Sequence, residues 1–213
     1  MTGSPNVDAC ERDKFGTLEG NTLFPIELHK LVENAHARLA HFSSGCIYSG
    51  DILSVNVKPN FFGSIYSISK GISDTYLSDK AVVLRIRMPF TGIDEPKNYL
   101  SKVLNYAKNG KLIEAGYNSL TDLDEAVRVA CRMIVEDVPD GPYNLVNSGA
   151  ITMHELVDMI GLSVSWYTPD EFTNVTVAGR STCVIPAYHE MRPVKDALFD
   201  AIQNLIRTTT VIR

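Results

Sequence analysis

The chain has 213 residues, of which 45% are hydrophobic and 21% charged, and its formal net charge is -5. This composition is that of an ordinary globular domain with a full core, and the net negative charge argues against a nucleic-acid partner. No apolar run is long enough for a membrane span and the polar start is not a signal peptide, so a cytoplasmic location is expected. The four cysteines are widely spaced without a CxxC pair, which predicts neither a metal site nor a disulfide framework.

Helical and strand-like patterns alternate along the chain, which predicts a parallel sheet with helices on its faces. In chain order the patterns predict a helix over 22–37, a buried strand within 38–49, a helix over 63–78, a strand over 80–89, helices over 96–109 and 118–137, a strand over 143–147, and helices over 151–161 and 193–206. Two pairs, Asp122 with Glu125 and Thr152 with Glu155, have the spacing of a capping box at a helix start.

A glycine-rich loop between a first strand and a first helix is missing from the sequence. No GxGxxG or GxxGxxG occurs, although such a loop normally lets backbone amides approach a dinucleotide pyrophosphate. The chain begins instead in TGSPN (2–6), which is typical of a loop. A sheet that starts here is expected to present an edge and an apolar face that another element or protein covers.

The sharpest local signal is YSISK, from Tyr66 to Lys70, at the start of a predicted helix. Residues four apart share a helix face, so the phenol and the ammonium are expected to enter one site, where the ammonium would lower the tyrosine pKa. Ser44 follows a predicted strand, at the sheet end where ligands bind. The competing interpretation of YxxxK alone is a surface pair on a helix, and Ser44 is what favours a catalytic one.

The chain resembles the epimerase/reductase domain of plant-type and viral rhamnose synthases, within the extended short-chain dehydrogenases/reductases. It is more distantly similar to dTDP-4-dehydrorhamnose reductases and GDP-fucose synthases. The matching stretches occur in the family's order and cover almost the whole chain: TGSPNVDACE, FSSGCIYS, KPNFFGSIYSISK, LRIRMP, PKNYLSKVLNY, NSLTDLDEAV, YNLVNSGAITMHEL and VAGRS. The match starts at Thr2, so the resemblance implies that about 60 residues with the glycine-rich βαβ unit are lacking.

The resemblance implies an α/β fold: an N-terminally truncated Rossmann-type parallel sheet with a small C-terminal substrate lobe. Residues 1–92 would form the Rossmann-type core with the catalytic residues, and 93–213 the rest of the core and the nucleotide-sugar lobe. Ser44 takes the place of the family's catalytic Ser/Thr and Tyr66 that of the proton donor. Lys70 is the partner that also contacts the nicotinamide ribose, and Asn21 matches the helix asparagine that supports it.

The epimerase and substrate residues are also implied by the resemblance. Cys46 and Lys102 fall where bifunctional members keep two epimerase acid/base groups. The remaining matches line the sugar pocket or hold the nucleotide diphosphate: Asn60, Asn98, Arg180 and Ser181. Without this context Cys46 would be a buried structural thiol and Lys102 a solvated helix lysine. Arg180 would be a surface residue or a phosphate ligand, Asn21 a helix cap, and the other tyrosines packing residues.

These residues predict a nucleotide-sugar 3,5-epimerase/4-keto-reductase of deoxysugar biosynthesis, acting on a UDP- or dTDP-4-keto-6-deoxy sugar. The family uses NADP(H), which this chain is not expected to bind alone. The alternative is a non-catalytic structural or binding subunit derived from such a reductase. We expect a homo-oligomer, or a complex with a protein that covers the truncated sheet edge.

Overall fold

The computed structural model describes residues 6–211, so most of the predicted loop TGSPN lies outside the described residues. The helices are α1 (Val7–Arg12), α2 (Lys14–Leu18), α3 (Phe24–Asn34), α4 (Ile65–Leu77), α5 (Tyr99–Asn109), α6 (Leu123–Val135), α7 (Met153–Ile160), α8 (Pro169–Val175) and α9 (Val194–Val211). A π-helical turn, Glu19–Leu23, joins α2 to α3, and a 3₁₀ turn, Gly45–Ile47, follows the first strand. The strands are β1 (Ala40–Ser44), β2 (Gly50–Asp51), β3 (Val82–Ile86), β4 (Pro89–Phe90), β5 (Lys111–Ile113), β6 (Thr121–Asp122), β7 (Gly141–Asn144), β8 (Ser165–Tyr167) and β9 (Cys183–Val184).

The main sheet has three parallel strands in the order β1-β3-β7, so the predicted parallel α/β architecture is confirmed. β3 is the central strand, and its run of apolar residues is buried on both faces. Successive side chains alternate between those faces. Val82 and Leu84 pack against α6, while Val83 packs against Leu77 at the end of α4. The remaining strands form two-stranded parallel pairs, β2 with β9, β4 with β6 and β5 with β8.

A second apolar cluster lies in the C-terminal half, where α5, α7 and α9 contribute its side chains. Its buried members include Leu100, Val103, Leu156, Leu198 and Ile202. This cluster is separate from the one between α6 and the main sheet, so α5, α7 and α9 surround a core of their own.

The predicted helices over 63–78, 96–109, 118–137 and 151–161 correspond to α4, α5, α6 and α7, and α9 runs on to Val211, beyond the predicted end at 206. The helix predicted over 22–37 begins with a π-helical turn and ends at Asn34, shortly before His36, which takes a positive φ of 52°. The short helices α1, α2 and α8 were not predicted, because each is less than two turns long and shows no apolar period. The strand predicted over 143–147 pairs over 141–144.

One of the two predicted capping boxes is complete. Thr152 and Glu155 exchange both hydrogen bonds at the start of α7. At α6, Asp122 Oδ1 accepts from the backbone of Glu125, but the Glu125 carboxylate turns away and accepts from Asn147 Nδ2. The reciprocal box predicted there is therefore wrong, because Glu125 has a tertiary partner.

Candidate functional site

The carboxyl end of β1 and the turn after it form the floor of the candidate site. Ser44 is buried, and its Oγ accepts a hydrogen bond from the backbone N–H of Cys46 at 3.1 Å. The Cys46 carbonyl in turn accepts from Ser67 Oγ of α4 at 2.9 Å. These two bonds fix the turn between strand and helix, so Ser44 and the half-buried Cys46 keep a defined position relative to α4.

Tyr66 lies in the first turn of α4, the helix whose Ser67 is bonded to the turn after Ser44, so the two predicted residues lie on adjoining elements. Burial raises the Tyr66 pKa above its ordinary value, the Cys46 thiol raises it further, and the Ser44 side chain opposes the rise. The predicted lowering of this pKa is therefore wrong. A phenol with a raised pKa is protonated at neutral pH, which suits a proton donor.

Lys70 lies one helical turn after Tyr66, and burial lowers the pKa of its ammonium while Asp74 opposes the change. The cation that opposes the Tyr66 shift most strongly is Arg87, the second residue before β4 begins. Sequence reasoning gave an effect of this kind to Lys70 and did not single out Arg87.

Asn21 lies in the π-helical turn and is fully buried. Its Nδ2 donates to Ser69 Oγ on α4 at 3.2 Å, and Thr22 Oγ1 donates to the Ser69 carbonyl at 2.8 Å. The Asn21 Oδ1 has no hydrogen-bond partner. Asn21 is therefore not a helix cap: it joins the π-helical turn to the helix residue next to Lys70 and leaves one buried acceptor open.

The first turns of α5 carry a second group of polar residues. Burial raises the pKa of Tyr99 to about 12, with Arg87 opposing and Cys46 adding to the rise. Lys102 lies three residues later on the same helical face, and burial together with Lys97 lowers the pKa of its ammonium. Sequence reasoning took Tyr99 for a packing residue, and Tyr99 does pack against the apolar cluster that α5, α7 and α9 surround.

Asn60 and Asn98, both predicted at the sugar pocket, are occupied by the backbone. Asn98 is buried, with Oδ1 accepting from Thr91 and Leu100 and Nδ2 donating to the carbonyls of Thr91 and Ile93. Both donors and both acceptor sites of the Asn98 amide are thus used within the protein. This side chain therefore holds the loop before α5 and has no hydrogen-bonding group left for the predicted contact to the sugar. Asn60 pairs with both backbone groups of Ser49 and is exposed, which leaves it one free donor and one free lone pair.

The VAGRS segment is held by α1. The Asp8 carboxylate accepts from the backbone of Val177 and Ala178 and from Arg180 Nη2 at 2.6 Å. Burial would raise the Asp8 pKa, but the bond with Arg180 and the two amides lower it on balance. Arg180 is exposed and keeps further N–H groups free, while the Ser181 carbonyl accepts from Arg87.

A glycine is required where VAGRS meets the loop before α4. Gly179 donates to the Gly63 carbonyl at 3.0 Å, and a Cβ on Gly179 would lie 2.7 Å from that oxygen. The contact brings the VAGRS segment next to the helix that carries Tyr66.

Within the part of the chain that the structure describes, no three His, Cys, Asp or Glu residues are grouped to hold a metal ion, and no helix there is long and apolar enough to cross a membrane.

Comparison with known proteins gives relatives of one kind, although no family model matches the chain. A bifunctional dTDP-4-dehydrorhamnose 3,5-epimerase/dTDP-4-dehydrorhamnose reductase of Arabidopsis thaliana is 30% identical over 222 residues, covering 93% of this chain and 72% of its own length. A trifunctional UDP-glucose 4,6-dehydratase/UDP-4-keto-6-deoxy-D-glucose 3,5-epimerase/UDP-4-keto-L-rhamnose-reductase of the same plant is also 30% identical over 93% of this chain. This chain spans only 32% of the length of that trifunctional relative.

Solved structures agree on the fold. The L780 UDP-rhamnose synthase of Acanthamoeba polyphaga mimivirus superposes with a TM-score of 0.82 at 24% identity, covering 96% of this chain and 79% of that one. A dTDP-4-dehydrorhamnose reductase of Bacillus anthracis in complex with NADP gives a TM-score of 0.76 at 13% identity, with 97% and 78% covered. The fold of the described residues is that of these Rossmann-type proteins.

Proposed function

The chain belongs to the family of the bifunctional dTDP-4-dehydrorhamnose 3,5-epimerases/reductases, and from this premise we propose that it is an epimerase/reductase-type protein of deoxysugar biosynthesis. Its substrate would be a UDP- or dTDP-linked 4-keto-6-deoxy sugar. The observation that carries the proposal is that the end of β1 and the turn after it, with Ser44 and Cys46, are bonded to the first turn of α4, which carries Tyr66.

Epimerisation at carbons 3 and 5 needs an acid/base on each face of the sugar and donors for the 4-keto oxygen. We assign the proton transfers to Cys46 and Lys102. The base takes the proton from the carbon, the electron pair moves onto the keto oxygen, and a proton returns from the opposite face. Ser44 and the protonated Tyr66 hold that oxygen. The lowered pKa of Lys102 supports its role as a base, because a lower pKa makes the neutral amine easier to form near neutral pH.

Reduction of the ketone would follow with a hydride that NADP(H) supplies when bound. The residues at the nicotinamide end fit this group: the Lys70 ammonium lies in a partly buried position that disfavours its charge, and the buried Asn21 Oδ1 still needs a donor. Lys70 and Asn21 would hold the nicotinamide ribose, and Tyr66 would give the proton to the keto oxygen.

For the diphosphate of the sugar nucleotide we propose the exposed Arg180 together with Ser181 as ligands. Asn60 remains a proposed contact to the sugar.

In this proposal residues 1–92 carry Ser44, Cys46, Tyr66 and Lys70, and residues 93–213 complete the sheet, form the substrate lobe and add Lys102. A cytoplasmic site of action fits the four cysteines, which are all free.

The direct test is exchange in heavy water without cofactor. The 213-residue chain is incubated with a UDP- or dTDP-4-keto-6-deoxyglucose, and deuterium at carbons 3 and 5 is followed by NMR. We expect deuterium at both carbons. Exchange at neither carbon, with the lone chain and again with any partner that restores NADPH binding, would leave a non-catalytic role.

Binding of NADPH to the lone chain should be weak. The sequence contains no glycine-rich strand-turn-helix, so no helix N-terminus of that kind is available to the pyrophosphate, and only the nicotinamide end has ready contacts. Titration calorimetry with the 213-residue chain measures this directly. Micromolar affinity would contradict the prediction.

We also propose that the chain self-associates or binds a second protein. Within residues 6–211, β1 pairs on one side only, and its Phe42 is 43% exposed. Phe15, Leu23 and Leu31 are each more than half exposed along α2, the π-helical turn and α3. An unpaired strand edge together with exposed large apolar side chains favours an interface. Sedimentation should give a species heavier than the 23.5 kDa monomer. A well-folded monomer at micromolar concentration that binds no hydrophobic dye would count against it.

A further inference from the structure

Arg87 is a buried cation whose partners are all neutral. Its side chain is 1% exposed. The guanidinium donates to the Gly45 carbonyl at 3.0 Å, to Asn118 Oδ1 at 2.6 Å and to the Ser181 carbonyl at 2.7 Å, while Nε has no partner. A carbonyl oxygen or an amide oxygen satisfies a donor but does not neutralise the charge.

The other buried arginine of the same strand is neutralised. Arg85 Nη2 lies 2.6 Å from Asp74 Oδ1, and its Nε donates to the other carboxylate oxygen. Arg87 forms no ion pair with any residue in the described range 6–211. Burying a charge without a counter-ion is expensive for a fold, so a purely structural role would be met better by a neutral side chain or by a second pair of the Arg85 kind.

The Arg87 side chain lies directly against the turn that carries the candidate catalytic thiol. A Cβ on Gly45 would lie 3.2 Å from Arg87 Cβ, so the glycine between Ser44 and Cys46 allows this approach. From this position the positive charge of the guanidinium affects titratable side chains on three elements around the turn. It lowers the pKa of Tyr66 on α4, of Tyr99 on α5 and of Cys183 on β9, in each case against a larger effect of burial.

We propose that Arg87 is the positioning residue that supplies the fixed positive charge of this site, which stabilises the anion formed when a proton leaves the carbon beside the keto group. This rests on the proposed epimerase function and names a residue beyond its acid/base set. Arg87 neither gives nor takes a proton: the proton passes to the base, the electron pair passes to the keto oxygen, and the buried guanidinium faces the resulting negative charge through the Ser44–Cys46 turn. Such a charge in a water-poor site acts more strongly than it would in solvent.

Three substitutions separate the charge from the hydrogen bonds. Arg87→Gln removes the charge, and Arg87→Lys keeps it with fewer hydrogen bonds. Asn118→Asp keeps Arg87 but adds a carboxylate 2.6 Å from its Nη2, which should neutralise it. Asn118→Ser is the matched control, because it also loses the donor to the Gly116 carbonyl but adds no charge. All variants are first compared with the wild-type chain by circular dichroism and thermal melting.

Two readouts are used. In the heavy-water assay, Arg87→Gln and Asn118→Asp should slow exchange by about a hundredfold, the effect typical of losing one group that stabilises an oxyanion, and Arg87→Lys by about tenfold at most. The second readout needs no substrate: the titration of the Cys183 thiol, followed by its ¹³Cβ chemical shift. Burial raises the pKa of Cys183 to about 11, Arg87 opposes the rise, and Cys46 and Asp51 add to it. Loss of the Arg87 charge should therefore move this titration to higher pH in Arg87→Gln, and not in Arg87→Lys.

The two readouts fail differently. If the folded wild-type chain exchanges no deuterium, the proposed function fails, while the Cys183 titration still reports on the Arg87 charge. If the folded Asn118→Asp chain keeps the wild-type exchange rate, Arg87 acts only through its hydrogen bonds and the inference is overturned. The same holds if Arg87→Lys exchanges as slowly as Arg87→Gln and the Cys183 titration is unchanged in both.

Discussion

Replacing Cys46 by alanine should stop deuterium exchange at one of the two sugar carbons and leave the other within about tenfold of its wild-type rate. Lys102→Ala should do the reverse. The reason is that the proposed epimerisation needs an acid/base on each face of the sugar, and the two groups come from different elements, the turn after β1 and the first turn of α5. Loss of a positioned acid/base typically slows its own proton transfer by about 10² to 10⁴.

The measurement is the NMR exchange assay, read separately at carbons 3 and 5. Cys131→Ala on α6 and Lys108→Ala later on α5 are matched controls, since both side chains are exposed and neither is part of the site. Both controls should keep both rates. Equal slowing at both carbons in each variant would mean that one group serves both positions, and the assignment of two bases would be wrong.

Much of this site could be predicted from local pattern. Ser44 was expected at the end of a buried strand and Tyr66 at the start of a helix, because strand and helix periods change between 44 and 66 and parallel strands end at one edge. The structure places the two residues on adjoining elements, since Ser67 in the first turn of α4 donates to the Cys46 carbonyl in the turn after Ser44. Helix α4 itself follows the sequence closely, with Ser64 as its N-cap.

The features of the site that the sequence did not predict depend on contacts between distant parts of the chain. The direction of the Tyr66 pKa follows from burial beneath neighbouring elements, which no spacing between Tyr66 and Lys70 reveals. Arg180 is bonded to Asp8, 172 positions earlier in the sequence. The saturation of Asn98 depends on the path of the loop before α5. A sequence names the polar residues, but which of them retain free donors and acceptors is decided only by packing.

The framework behind the site should depend on one buried ion pair. Asp74 is fully buried on α4, where its carboxylate accepts from Arg85 on β3 and from Ser43 Oγ on β1 at 2.6 Å. It thus joins the helix that carries Lys70 to two strands of the sheet. Since Ser43 precedes Ser44, the same carboxylate also fixes the strand end at the floor of the site.

Asp74→Asn should lower the free energy of unfolding by about 3–5 kcal/mol, because it leaves the Arg85 guanidinium buried without its counter-ion. Urea denaturation measures the loss. Asp79→Asn, at an exposed carboxylate beside Lys80, is the matched control and should leave the midpoint unchanged. The substitution also removes the group that raises the Lys70 pKa, so in the folded variant that pKa should fall further below its ordinary value. A midpoint for Asp74→Asn equal to that of Asp79→Asn would mean that Ser43 and solvent satisfy Arg85 without the carboxylate, and that the sheet, rather than this ion pair, holds α4 in place.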